Sequence, residues 1–188
     1  PRLVTDRLTV RVPETSDVPA ILRYYNENRD FLRPWEPTRP AGFFTEVFWN
    51  RHVQETHSDF RRGYAVRLFM FDKDDERQVV GYIGFSQLVR RVSWFCYLGY
   101  SLSEANQGKG LMTEGLRVAI DYVFDEFNMH RIMANYMPHN RRSGQVLRRL
   151  GFTVEGYARD YLLINGEWED HILTSLTNPN WKNPQLAM

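Results

Sequence analysis

Leu98-Gly99-Tyr100-Ser101-Leu102-Ser103-Glu104-Ala105-Asn106-Gln107-Gly108-Lys109-Gly110-Leu111-Met112 is the stretch that decides the fold. It closes a β-rich run from Trp94 to Leu102 and passes through a polar turn with two glycines. It then enters a helical stripe of Met112, Leu116, Ile120, Val123 and Phe127. The first amides of such a helix have no intrahelical partners, point outward and carry partial positive charge. Gly108 to Met112 can therefore surround a diphosphate. Gly108 and Gly110 let the main chain approach phosphate oxygens where a Cβ would intrude, and Lys109 adds charge at the rim. A Walker loop does not fit, because Lys109 is followed by Gly110 and the earlier glycine is missing. A dinucleotide fingerprint needs a third glycine where Thr113 stands. A strand-to-helix turn that simply requires glycine is the plainer alternative.

Working outward, the segments on either side read as a mixed α/β (α+β) sheet with helices packed over it. Towards the N-terminus, Leu8, Val10 and Val12 alternate with Arg7, Thr9 and Arg11, the period of a strand. Ser16-Asp17 supplies an N-cap signal for a helix with Ile21, Leu22 and Tyr25. Phe31 to Pro40 holds three prolines and is expected to be irregular. A second helix is expected from about Phe44 to Arg61, then strands at Tyr64–Phe71 and Val79–Val89. Towards the C-terminus come a strand at Arg131–Met137 and a short helix, Asn140–Leu150, that stops at Gly151. Strands at about Val154–Ile164 and Trp168–Leu176 meet at Asn165-Gly166, a strong hairpin signal. There is no repeat or dividing linker, so residues 1–188 are expected to form one domain.

Composition narrows the function classes. The net charge of +1 leaves no overall field to gather nucleic acid. The pairs Arg61-Arg62, Arg90-Arg91, Arg141-Arg142 and Arg148-Arg149 read as solvated helix ends and strand edges, or as contacts for an anionic ligand or RNA. The single cysteine, Cys96, excludes an internal disulfide and a multi-cysteine zinc site, and its β-rich setting makes it a core residue. The histidines show no metal-ligand spacing, so no metal is expected. Apolar runs are broken by charge too often to span a bilayer, and the first residues lack a signal-peptide pattern. No membrane contact and a cytoplasmic location are the resulting expectations.

Several segments resemble the GNAT N-acetyltransferase family. Gln107 and Gly110 fall in register with its Gln/Arg-x-x-Gly-x-Gly/Ala loop, while Met112 stands where a small residue is usual and should crowd the helix start. Leu98 to Leu102 is similar to the family strand that splays and binds a pantetheine arm through its backbone. Asn140, Ser143, Val146-Leu147 and Leu150-Gly151-Phe152 are similar to the second half of its cofactor site. Thr5 to Leu8, Asn28 to Pro37, His130 to Asn140 and Glu155-Gly156-Tyr157 extend the likeness over essentially the whole chain, and point to the RimJ-type branch. The resemblance implies a central, mostly antiparallel sheet with splayed strands and flanking helices. It implies acetyl-CoA as co-substrate and the N-terminal alanine of a ribosomal protein as acceptor, with ribosome association as a further expectation; the oligomeric state stays open.

What the resemblance implies for individual residues follows the same positions. Tyr100, Ser101, Leu102, Gln107, Gly108, Lys109, Gly110, Leu111, Met112, Asn140 and Ser143 are expected to hold the cofactor, with Tyr100 and Leu102 acting through backbone groups. Asn140 also suits a helix cap. Ser143 is placed to protonate the departing thiolate, and an amide near Leu102 to stabilise the tetrahedral oxyanion. Trp35, Glu36, Tyr97 and Tyr161 are expected to frame the acceptor. An α-amino group has a pKa of about 7.7–8.0 against about 10.4 for lysine, so roughly a tenth of N-termini are neutral near pH 7. A weak base or a water relay then suffices. Tyr97 stands where many relatives carry a catalytic glutamate, and Leu162 where a sister enzyme's proposed base falls. Glu36, Glu104, Asp160 and Asp170 remain as candidates for the base. His130 reads as structural, and His139 as a capping or solvent-facing residue. Transfer to a small amine, or a weakly catalytic ribosome-assembly role, are the alternative readings.

Overall fold

Eight extended segments pair into one open sheet in a computed structural model that describes residues 1–184; residues 185–188 of the expected 1–188 domain lie outside it. In chain order the elements are β1 (Arg2–Val4), β2 (Leu8–Arg11), α1 (Val18–Glu27), α2 (Arg29–Leu32) and α3 (Glu46–Arg62). The meander β3 (Val66–Asp72), β4 (Val79–Val89) and β5 (Phe95–Leu102) follows. The chain closes with α4 (Leu111–Glu126), β6 (Arg131–Tyr136), α5 (Arg141–Arg149), β7 (Thr153–Ile164) and β8 (Glu167–Thr177). The spatial order is β1-β2-β3-β4-β5-β6-β8-β7. Every neighbouring pair is antiparallel except β5 and β6.

Alternation along β3 separates the two faces of the sheet. Leu68 and Met70 join a core with Ile83, Phe85, Leu116 and Val123, beneath α4 and α5. Phe69 and Phe71 point the other way, into a second core with Ile21 and Tyr25 of α1 and Trp49 and Val53 of α3. Both faces of the central strands are thus covered. Among the described residues no helix is long and apolar enough to cross a membrane.

Four details differ from expectation. β1 has only three residues, too few to show a period. Thr9, expected to face outward, is buried because its hydroxyl donates to Glu76 at 3.1 Å. The Ser16-Asp17 signal opens no simple cap: Thr15–Asp17 forms a 3-10 turn, and the Asp17 carboxylate accepts from the Glu14 amide at 2.7 Å. The proline-rich segment includes α2 and a 3-10 turn, Arg33–Trp35, with Pro34 in the first turn, where a missing N–H costs nothing. The closing hairpin forms as expected, with Asn165 at φ 47° and Gly166 at φ 89°.

The feature that positions the site is an early ending. β5 and β6 pair through Phe95↔Arg131, Cys96↔Ile132 and Tyr97↔Met133, and then part. β6 stays on β8 as far as Tyr136↔Ile172, while β5 stays on β4 as far as Leu102↔Gly81. The edge of Leu98–Leu102 that faces β6 is left open.

Gly81 sets how closely β4 supports that strand, since a Cβ there would lie 2.7 Å from the Ser101 carbonyl oxygen. Gly81→Ala should lower stability by about 1–3 kcal/mol in urea unfolding. Gly99→Ala, with nothing within 4 Å of an added Cβ, should change it by less than about 0.5 kcal/mol.

Candidate active site

The open edge of β5 runs directly into the glycine turn. Glu104–Asn106 forms a 3-10 turn, and the Glu104 amide donates to the side chain of buried Asn28 at 2.8 Å. Asn28 in turn donates to the Tyr24 carbonyl at 2.8 Å, which ties this turn to α1. Tyr24 adds a second tie, its hydroxyl lying 2.9 Å from the Ser101 hydroxyl. The Gln107 side chain folds back and donates to the carbonyls of Leu102 at 3.0 Å and Ser103 at 3.4 Å.

Gly108 and Gly110 take φ of 74° and 78°, and Gly110 is the N-cap of α4. Within the protein a Cβ at Gly108 would meet nothing within 4 Å, so its structural requirement is the left-handed backbone. Met112 does not crowd the helix start as expected. Its side chain, like that of Leu111, is buried in the core beneath α4. Lys109 is exposed, its ammonium 3.4 Å from the Asn106 side chain.

Arg7 and Glu114 brace this turn from outside. Arg7 donates through Nε at 2.8 Å and its amide at 3.0 Å to Glu114, and through Nη1 at 2.9 Å to the Lys109 carbonyl. The Thr5 hydroxyl donates to the same carboxylate at 2.6 Å. Burial alone would raise the Glu114 carboxyl, but Thr5 and Arg7 together hold it below its ordinary value.

Across the gap, Asn140 caps α5 by accepting from the Ser143 amide at 3.1 Å. The Ser143 hydroxyl lies 2.7 Å from the Tyr100 hydroxyl, while the Ser143 carbonyl is 3.4 Å from it. Tyr100, expected to act through its backbone, also carries a side chain that reaches across the splay to α5. Burial pushes the Tyr100 phenol well above its ordinary value, so it remains a proton donor.

The four expected acceptor residues lie in three neighbouring contacts. The Trp35 ring packs against His139, with centroids 5.4 Å apart, next to the Asn140 cap. The Glu36 carbonyl accepts from the Asn165 amide at 3.0 Å, joining this segment to the hairpin. Its carboxylate pairs with Arg39, yet burial keeps the Glu36 pKa raised. The Tyr161 hydroxyl accepts from Asn135 at 3.4 Å, and burial, followed by the influence of Tyr97, raises its pKa.

Of the candidate bases, Asp170 is engaged by the Tyr157 hydroxyl and, at 2.9 Å, by the Asp160 amide; these bonds lower its pKa and weaken it as a base. Asp160 sits at φ 47° where three residues of β7, Arg159 to Tyr161, oppose Asp170 alone. Glu104 is exposed. None of Glu36, Glu104, Asp160 and Asp170 bonds Tyr100 or Ser143. Cys96 is buried and its thiol is pushed up to about 12 by desolvation. His130 is held against Trp181, with ring centroids 5.4 Å apart. Among the described residues no three His, Cys, Asp or Glu side chains converge to hold a metal.

Sequence reasoning missed three contributors: Asn28, Tyr24 and the Arg7–Glu114 brace. Asn28 and Arg7 lie inside segments that carried the resemblance, but nothing in their spacing shows partners so distant in the chain.

Comparison with known proteins supplies an independent line. Residues 7–153 match the family model described as an acetyltransferase (GNAT) domain. The [ribosomal protein uS5]-alanine N-acetyltransferase of Escherichia coli K12 is 49% identical over 180 residues, 96% of this chain and 92% of that one. The crystal structure of the ribosomal-protein-S5-alanine acetyltransferase from Vibrio fischeri superimposes with a TM-score of 0.93 at 39% identity, covering 97% of this chain and all of that one. Mycobacterium smegmatis RimJ in complex with CoA-disulfide has the same fold, with a TM-score of 0.84 at 24% identity, over 94% of this chain and 84% of its own.

The depressed Glu114 pKa carries a sign. The bonds that lower it contribute stability above its ordinary value of 4.5 and lose that contribution as pH falls through the folded value. Protection of the Arg7 amide from hydrogen exchange, corrected for the intrinsic rate, should therefore hold at neutral pH and fall in acid. Glu114→Gln should remove most of that pH step.

Proposed function

Because the chain belongs to the GNAT acetyltransferase family, we propose that it transfers the acetyl group of acetyl-CoA to the N-terminal α-amino group of a ribosomal protein that begins with alanine. The acceptor rests on the half-identical Escherichia coli relative. The chemistry rests on one observation in this molecule, the Tyr100–Ser143 hydroxyl contact across the open edge of β5. Residues 1–188 act as one catalytic domain, in the cytoplasm, where ribosomes supply the acceptor.

The outward amides at the start of α4, the open turn at Gly108 and the unpaired edge of Leu98–Leu102 fit a diphosphate joined to an extended amide-bearing arm. Bound there, acetyl-CoA supplies an activated acyl carbon and a thiolate leaving group. Gly108 to Met112 hold the diphosphate, with Lys109 at the rim. Tyr100, Ser101 and Leu102 hold the arm, and Gln107 keeps the end of that strand in place. Asn140 fixes the first turn of α5 and thereby Ser143.

In the transfer step the neutral amine attacks the acyl carbon, the carbon–sulfur bond breaks, and the thiolate takes the Ser143 hydroxyl proton. A backbone amide near Leu102 faces the oxyanion. Tyr100 sets the direction of that proton. Its hydroxyl lies 2.7 Å from the Ser143 hydroxyl, a spacing at which either group can donate; in the transfer step Tyr100 donates to the Ser143 oxygen as the serine proton moves to sulfur. The amine sheds its proton to water, an undemanding step for an α-amino group, and water returns a proton to the Ser143 oxygen, which restores the enzyme. Trp35, Glu36, Tyr97 and Tyr161 line the acceptor side.

Acetyl-CoA consumption should be highest with alanine-starting peptides in a panel that includes serine- and methionine-starting peptides, polyamines and aminoglycosides. Preference for a polyamine or an aminoglycoside would reject the acceptor. Ser143→Ala should lower kcat about tenfold or more with little change in KM for acetyl-CoA. Tyr100→Phe should lower it by about threefold to tenfold, and the double variant should be no slower than Ser143→Ala alone. Trp35→Ala should raise the peptide KM or relax the choice of first residue; unchanged kinetics would remove Trp35 from the groove.

A further inference from the structure

One cavity begins at Glu36, the residue after Trp35, and apart from Glu36 its lining has no part in the transfer described above. It measures about 280 Å³ and lies among α1, residues 36–40, Phe44 and the hairpin residue Asn165. Its apolar lining includes Tyr25, Leu32 and Phe44, and its charged lining is Arg29, Arg33, Arg39 and Glu36.

These charges do not cancel. Glu36 is paired with Arg39, whose guanidinium also sits 4.3 Å from the Phe43 ring centre and 4.9 Å from that of Tyr25. Arg29 lies 4.4 Å over the Phe44 ring, and among the described residues neither Arg29 nor Arg33 is ion-paired. The cavity keeps an excess of two positive charges beside an aromatic wall that orients one of the guanidiniums. A planar guanidinium with free N–H groups matches a carboxylate with two parallel hydrogen bonds.

Its position relates it to the acceptor. Trp35 touches His139 on the side of the Asn140 cap, and the next residue, Glu36, lines the cavity. The cavity is thus the next recess along the wall that runs from Asn140 through His139 and Trp35, and an extended acceptor chain advances about 3.3–3.6 Å along it per residue.

We infer that this cavity is a specificity subsite for an acidic side chain placed a few residues behind the acceptor's N-terminal residue, with Arg29 and Arg33 as its readers. The inference rests on the acceptor reading above. Arg39 neutralises Glu36, so the one carboxylate in the wall does not repel the incoming group.

The test uses alanine-starting peptides that differ only by Glu, Gln or Lys at each of positions two to five, with kcat/KM as the readout. At one of these positions the Glu peptide should exceed the Gln peptide by about fivefold to tenfold at low salt, with Lys lowest, and the gap should shrink as salt rises. The R29E/R33E double variant should invert the order in favour of Lys, with its thermal midpoint near that of the parent, since both side chains are exposed. Equal use of Glu, Gln and Lys at every position would overturn the inference and leave the acceptor reading standing. An equal loss for all three peptides in the double variant would also overturn it, by making the arginines structural. Transfer to none of these peptides, with acetyl-CoA still bound, would instead overturn the acceptor reading and this inference with it.

Discussion

β5 and β6 share three register pairs and then separate, each held on its far side by an antiparallel neighbour. A backbone edge in the middle of a sheet normally finds partners in the next strand, because unpaired N–H and C=O groups are costly away from water. Here the strands are kept apart by the ladders that flank them. β6 follows β8 and β5 follows β4, so the gap is a property of the whole sheet. A ligand with its own amides can complete what the missing pairs leave unsatisfied.

The surroundings keep that edge in place. Tyr24 and Asn28 fasten it to α1, Gln107 ties off its end, and Tyr100 spans the opening to α5. Arg7, from a loop almost at the other end of the sheet order, locks the glycine turn through Glu114. These bonds join segments that are far apart in sequence, so the geometry at Ser143 depends on the complete sheet and not on a local motif. Two groups are kept protonated by burial for different ends: Tyr100 as a donor, and Cys96 as an inert part of the core.

The sequence showed what is periodic or local. Hydrophobic alternation, the Asn165-Gly166 turn and the glycine turn before α4 recovered most elements and the order in which they come. β1 leaves no trace because three residues carry no period, and the proline-rich segment looks irregular because proline breaks most helices, although a 3-10 turn accommodates Pro34 in its first turn. The glycine turn is legible from its own residues, and the other cofactor-side expectations come from the family resemblance. The residues expected to frame the acceptor are legible only as a set of names, since Trp35 with His139, Glu36 with Asn165 and Tyr161 with Asn135 are contacts made by tertiary structure. The inward turn of Met112 was missed for a related reason: a residue at a helix start can look crowded until the face it presents is known.

The bond from the Asn165 amide to the Glu36 carbonyl connects two walls of the cavity that lie far apart along the chain. Both partners are main-chain atoms, so the Glu36 side chain can be exchanged with the clasp left in place, while position 165 must still suit its left-handed φ of 47°. The span between the walls is thereby uncoupled from their chemistry. Descendants of this chain are free to rewrite what the recess prefers while inheriting its width unchanged.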